Sequence, residues 1–169
     1  MTARPALPSR IAVVAAIVVV IVAADQATKA IAVAHWSVVA RPIIGTHVQL
    51  FVTRNSGSAF SRFQNLTPLL ALGAIVITIF LARAARNATD SVTLYALVLL
   101  LGGALGNLSD RFFRSPGFMR GHVVDFVSIG WWPVFNLADS CVTIGAVLLI
   151  VRSLFPPRVV SVPDPSEAS

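Results

Sequence analysis

The chain has 169 residues, of which 56% are hydrophobic and only 12% charged, against roughly 25% charged in ordinary soluble domains. A chain this apolar has too little polar surface to cover a core in water, which excludes a conventional soluble domain and makes lipid part of its solvent. The +6 net charge points to anionic headgroups and not to nucleic acid, because the basic residues form no dense run and stand mostly at the ends of apolar segments. The single cysteine, Cys141, excludes an intramolecular disulfide and any cysteine-rich metal site.

Four apolar segments approach the roughly 20 residues that a spanning helix needs. They cover residues 11–33, 66–84, 92–108 and 134–154. The first could instead be a secretory signal, with Arg4 and Arg10 ahead of an apolar run and Ala32-Val-Ala34 as a cleavage site. Asp25, Gln26 and Lys29 interrupt that pattern, and three further spans leave no soluble mature chain, so a retained anchor is expected. After it, His47–Arg54 alternates imperfectly and is rich in β-formers, which predicts a short strand or hairpin on the membrane surface. Asn55-Ser-Gly-Ser-Ala-Phe60 follows as a loop. The second and third spans are joined by the short Ala85–Thr89 turn, and Asp90 caps the third. Within the third, Gly102-Gly-Ala-Leu-Gly106 has the GxxxG spacing of closely packed helices. In the next connection Phe112, Phe113, Phe118, Trp131 and Trp132 suit the headgroup boundary. The frame is one membrane domain over residues 1–155, followed by a proline-rich, disordered cytoplasmic tail at 156–169.

Four spans place both termini on one side. The basic residues divide almost evenly, but Arg10, Arg83, Arg86 and Arg152 hug span ends on the terminal side, which puts that side in the cytoplasm. Threaded up and down, the spans bring Asp25, Asp110, Asp125 and Asp139 to the opposite surface. A carboxylate in a span costs on the order of 2.5–3.5 kcal/mol, so each needs a partner or a task. Asp25 and Lys29 share a helical face. Asn107, Asp110 and Arg111 form a second polar stripe, and Asn136 with Asp139 a third. Asp25–Lys29 and Asp110–Arg111 could simply be buried ion pairs, but Lys29 and Arg111 cannot neutralise four acids.

Two neighbouring carboxyls that share a proton supply a general base and a general acid together, the equipment for adding water to an amide. The serines show no His–Asp partnership, and His35, His47 and His122 lack zinc-ligand spacing. No metal or cofactor is expected. A small proton-coupled carrier would use intramembrane acids too, but spread through the membrane's depth. A structural assembly factor is the third alternative; it would need the acids only for folding.

Five blocks carry a resemblance. Asp25-Gln-Ala-Thr-Lys29, Asn55-Ser-Gly-Ser-Ala-Phe60, Gly103-Ala-Leu-Gly-Asn-Leu-Ser-Asp-Arg111, Val123-Val-Asp-Phe126 and Phe135-Asn-Leu-Ala-Asp139 follow one another in an order that resembles the lipoprotein signal peptidases, or signal peptidase II. The resemblance implies an aspartic endopeptidase of the bacterial inner membrane, with four helices and a small extracytoplasmic β-cradle. It further implies removal of the signal peptide from diacylglyceryl-modified prolipoproteins, cut just before the lipidated cysteine. On this likeness Asp125 and Asp139 are the catalytic pair, and Asn55, Asn107, Arg111 and Asn136 bind substrate. Asp25, Lys29, Gly57 and Asp110 support the site. Membrane phospholipid is the surrounding partner, and a monomer is expected.

Overall fold

The computed structural model describes residues 10–57 and 67–155. The expected tail at 156–169, Arg4, and the end of the Asn55–Phe60 block lie outside these residues. Among those described, the order is α1 (Arg10–Trp36), β1 (Arg41–Ile44), β2 (Val48–Asn55), α2 (Thr67–Asn87), α3 (Ser91–Phe113), β3 (Val123–Ile129) and α4 (Leu137–Leu154). All four helices are long and apolar enough to cross a membrane. Even α4, with 18 residues, is about 27 Å long at 1.5 Å per residue, close to the hydrocarbon thickness.

Polar side chains fix where the spans begin and end. Asp90 caps α3 by accepting from the Thr93 amide at 3.1 Å. Asn136 caps α4 in a reciprocal box: its Oδ1 accepts from the Asp139 amide, while Asp139 Oδ2 accepts from the Asn136 amide. The fourth helix therefore starts at Leu137, later than the apolar run suggests. Conversely, α3 continues beyond Leu108 to Phe113, so Asp110 and Arg111 belong to a helix and not to its margin. Arg114 supports that last turn from Nε to Asp110 Oδ1 at 2.6 Å.

The spans run up and down. At one end the Arg10 guanidinium donates to the Ala88 carbonyl, and Arg152 pairs with Asp90 at 2.9 Å, which ties the start of α1 and the end of α4 to the α2–α3 link. The sheet lies with the opposite end. It is antiparallel in the order β1-β2-β3. The strand expected within His47–Arg54 is β2. Asp125, which falls in the connection between the third and fourth apolar segments, stands on β3. That strand hides from a period-two reading because Val123, Val124, Asp125 and Phe126 are all buried, so no polar alternation marks it.

Helix α3 packs closely against its neighbours through the glycines of its GxxxG stretch. A Cβ on Gly103 would lie 2.4 Å from the Ala138 carbonyl oxygen of α4, and one on Gly102 would meet Ile21 of α1 at 2.8 Å. Close backbone approach is what small residues permit between membrane helices. It also narrows the space into which the polar groups of α1, α3 and α4 project. The result is four apolar spans with a small three-stranded sheet at one end.

Candidate active site

At the sheet end, the chain buries a polar network that lipid could not solvate. Asp25, Lys29, Asp110 and Asn136 are fully buried, and Asp125 is 2% exposed. Lys29 is the hub. Its Nζ lies 2.8 Å from Asp25 Oδ2 and 2.8 Å from Asp110 Oδ2, and it donates to Asn107 Oδ1 at 3.0 Å. Gly106 makes the Asp25 position possible, since a Cβ there would sit 2.8 Å from Asp25 Oδ2.

Of the two ion pairs that could have accounted for these acids, Asp25–Lys29 forms and Asp110–Arg111 does not. Asp110 is held by Lys29 and Arg114, with further donors in the Gln26 amide at 3.0 Å and the Val124 backbone N–H at 3.1 Å. The reason is helical direction. Adjacent residues diverge by about 100° around a helix, whereas Arg114 is four residues on and shares the Asp110 face. Arg111 points elsewhere, donating from Nη1 to the Ser56 carbonyl at 3.5 Å. Gln26 and Arg114 are thus the site residues that sequence reasoning missed. The i, i+4 spacing of Asp110 and Arg114 was the available signal.

A second layer is built from amides. Asn107 Oδ1 accepts from Lys29 and from Asn136, and its Nδ2 donates to Asp139 Oδ1 at 2.7 Å. Asn136 Nδ2 donates to Asp125 Oδ1 at 2.7 Å. Asn55 Nδ2 reaches the other Asp125 oxygen at 3.2 Å, because the β2–β3 register pairs Asn55 with Val123 and Thr53 with Asp125. The two carboxyls are therefore bridged through Asn107 and Asn136, from a helix end, a helix cap and a strand. Burial first, and the Asp139 charge second, push the Asp125 carboxyl up to about 6 despite donors from Asn55 and Asn136. A carboxyl so shifted can hold a proton near neutral pH beside an ionised neighbour.

Gly57 sits where only glycine fits. Its φ is +86°, and a Cβ would lie 2.4 Å from Leu70 Cδ1 and 3.0 Å from Arg111 Nη2. Its amide donates to Asn55 Oδ1 at 2.7 Å, which turns the chain and orients the Asn55 side chain toward Asp125. Asp139 is half-buried and opens onto a cavity of about 470 Å³ lined by Ile129, Trp131, Trp132, Phe135, Thr143 and Ile144, among others. Apart from Asp139, Ser140 and Thr143, the side chains lining this space are apolar.

The spans between the two ends carry no charge: Ile11–Ala24, Ser91–Ser109 and Ser140–Val151 contain no acidic or basic residue. A path of acids through the membrane, as a proton carrier requires, is not built. Four spans, a surface sheet and a bridged carboxyl pair at one membrane face define a multi-pass membrane enzyme. The comparisons give its family. The family model described as signal peptidase (SPase) II matches residues 17–155. The chain is 51% identical over 137 residues to the lipoprotein signal peptidase of Rhodococcus jostii, covering 80% of this chain and 69% of that one. It is 44% identical over 153 residues to that of Mycobacterium tuberculosis, covering 89% and 75%. A solved chain described as a bacterial membrane enzyme structure, obtained by the in meso method at 1.9 Å resolution, superposes with a TM-score of 0.73 at 30% identity, covering 88% of this chain and 96% of that one. This chain belongs to the signal peptidase II family of bacterial membrane peptidases.

Proposed function

We propose that the chain performs its peptidase reaction as an aspartic endopeptidase, with Asp125 and Asp139 as the reacting pair and diacylglyceryl-modified prolipoproteins as substrates. Its family's activity is the removal of signal peptides from prolipoproteins. The observation that carries the aspartic reading is the amide bridge that links two carboxyls, one of them raised to about 6 by burial and by the other's charge.

In the reaction, ionised Asp139 takes a proton from a water molecule as that water attacks the scissile carbonyl carbon. Protonated Asp125 donates to the carbonyl oxygen, which becomes the hydroxyl of a tetrahedral diol. The diol then collapses: the C–N bond breaks, Asp139 gives the amine of the lipid-bearing cysteine the proton it took from water, one diol hydroxyl returns a proton to Asp125, and the signal peptide leaves as a carboxylic acid. No covalent enzyme intermediate is needed. Asn107 and Asn136 hold the pair in register, while Asn55 fixes Asp125 from the sheet. Arg111, free of Asp110, is available to bind substrate backbone carbonyls beside Gly57. Asp25, Lys29 and Asp110 brace α1 against α3 behind the pair.

The lipid on the substrate cysteine sets the depth of the reaction. A pair at headgroup level, with exposed Trp131 and Trp132 nearby, can receive the peptide while the acyl chains stay in the bilayer. We place this face outside the cytoplasm, both termini inside it, one domain over 1–155, and a monomer in the membrane. The test is purified protein in detergent offered a diacylated and an unlipidated prolipoprotein. Cleavage should require the lipid, and Asp125→Asn and Asp139→Asn should each lower it by about 10²–10⁴-fold with little change in thermal stability. Substantial turnover in either variant sinks the pair assignment.

A further inference from the structure

At the end opposite the carboxylates, α1 and α2 both lean on α3 and leave a groove between them. The cavity there is about 470 Å³, within the range of about 300–1,000 Å³ typical of small-molecule sites. Its walls are apolar and partly small: Ile11, Val14 and Ala15 from α1, Ala82 and Ala85 from α2, with Leu101 of α3 at its floor. Its mouth is basic. Arg10, the first residue of α1, and Arg86, in the last turn of α2, both line it, with Asn87 beside them.

The charge at this mouth has no protein counterpart among the described residues. The nearby acid, Asp90, is engaged by Arg152 at 2.9 Å and by the Thr93 amide. The ion pairs of the described residues involve Lys29, Arg114 and Arg152, and neither Arg10 nor Arg86. Arg10 donates to the Ala88 carbonyl, which orients its guanidinium without neutralising it. Two guanidinium groups with no ion-pair partner among the described residues, above an apolar slot between spanning helices, match a phosphodiester above two acyl chains.

We infer that this groove binds one anionic diacyl phospholipid, its headgroup phosphate held by Arg10 and Arg86 and an acyl chain laid along Val14, Ala15, Ala82 and Ala85. The charge complementarity selects an anionic lipid, because a zwitterionic headgroup brings its own cation to the mouth. Bound there, the lipid joins α1 to α2, two helices that otherwise meet mainly through α3. Its effect is thus on the stability of the bundle. The catalytic face lies at the other end.

The experiment uses the full chain in mixed micelles and follows thermal unfolding as dioleoyl phosphatidylglycerol, dioleoyl phosphatidylcholine or inorganic phosphate is added. Phosphatidylglycerol should raise the Tm by on the order of 3–6 °C at tenfold excess over its dissociation constant. Phosphatidylcholine and phosphate should raise it far less. Arg86→Gln should remove most of the shift while leaving prolipoprotein cleavage in detergent unchanged, and Arg10→Gln should do the same unless loss of its Ala88 bond lowers the starting Tm. Arg83→Gln removes a charge from the same helix end but outside the groove, so it should retain the shift. An equal loss in Arg83→Gln means diffuse attraction to a basic surface and overturns the proposal. So does an equal shift with phosphatidylcholine, or with phosphate alone.

Discussion

Lys29 allows the strength of the buried charge network to be measured. It is fully buried with two carboxylates 2.8 Å from its Nζ. Lys29→Met keeps the stem and removes the charge. Asp110 still has Arg114, Gln26 and the Val124 amide. Asp25 keeps only neutral donors, the Gln26 amide at 3.2 Å and the Ala138 N–H at 3.0 Å. The variant thus strands one buried carboxylate, a change that costs about 3–5 kcal/mol when one partner of a buried pair is removed.

A second substitution separates charge from shape. Asp25→Asn in the Lys29→Met background removes the stranded charge, while the Asn carbonyl can still accept from Ala138. The double variant should therefore recover on the order of 1–3 kcal/mol, the usual coupling between groups in direct contact. Unfolding in detergent micelles, followed by tryptophan fluorescence for the wild type, both single variants and the double, gives the full cycle. If Lys29→Met unfolds within about 0.5 kcal/mol of the wild type, the loss is no larger than a surface change and the counter-ion role is wrong. A double variant no more stable than Lys29→Met would refute the stranded-charge account and leave only a packing defect.

Three further outcomes are expected. Because the Asp125 carboxyl is raised from 3.8 to about 6, it binds its proton more tightly folded than unfolded. Its contribution to stability is full below about pH 3.8 and lost as pH rises through about 6. The stability of wild type minus that of Asp125→Asn should therefore fall across this window, and a flat difference contradicts the shift. Gly103→Ala, whose Cβ would lie 2.4 Å from the Ala138 carbonyl oxygen, should lose about 1–3 kcal/mol by overpacking. Gly73→Ala, with nothing within 4 Å, should be neutral or slightly stabilising in the same unfolding assay. For orientation, Thr46→Cys and Thr89→Cys, both at exposed positions at opposite ends of the bundle, are compared in intact cells of a Cys141→Ala variant. An impermeant maleimide should label Thr46→Cys and spare Thr89→Cys, and the reverse pattern would put the carboxyl pair in the cytoplasm.

The spans were legible because lipid imposes a one-dimensional rule: enough consecutive apolar residues make a helix. The convergence of four acids was legible for the same reason, since up-and-down threading fixes which span ends meet. What the sequence concealed was pairing within the cluster. Asp110 chooses Arg114 and Lys29 over adjacent Arg111 because helical phase outweighs nearness in sequence. Lys29 reaches a second acid because Gly106 lets α1 and α3 approach. The first leaves a local trace in the i, i+4 spacing of Asp110 and Arg114, and the second leaves none. Strand β3 was hidden for a related reason: burial along Val123–Phe126 erases the alternation by which a half-exposed strand is recognised.

The arrangement also explains why amides, and not bases, stand next to the proposed reacting pair. A cation against Asp125 or Asp139 would hold both ionised and leave no carboxyl able to donate a proton. Lys29 is close enough to do this, but its Nζ is engaged by Asp25 and Asp110, and Asn107 stands between it and Asp139. Its pull on Asp125 is weaker than burial, than the Asp139 charge, and than either asparagine donor. Asn107 and Asn136 orient the carboxyls through hydrogen bonds while adding no net charge, so mutual repulsion within the pair survives. The fold thus places its charge-compensated acids on α1 and α3, where they bind helix to helix. It leaves the pair from β3 and α4 without a cation against it, so burial first and the Asp139 charge second raise the Asp125 carboxyl to about 6, as the proposed proton exchange requires near neutral pH.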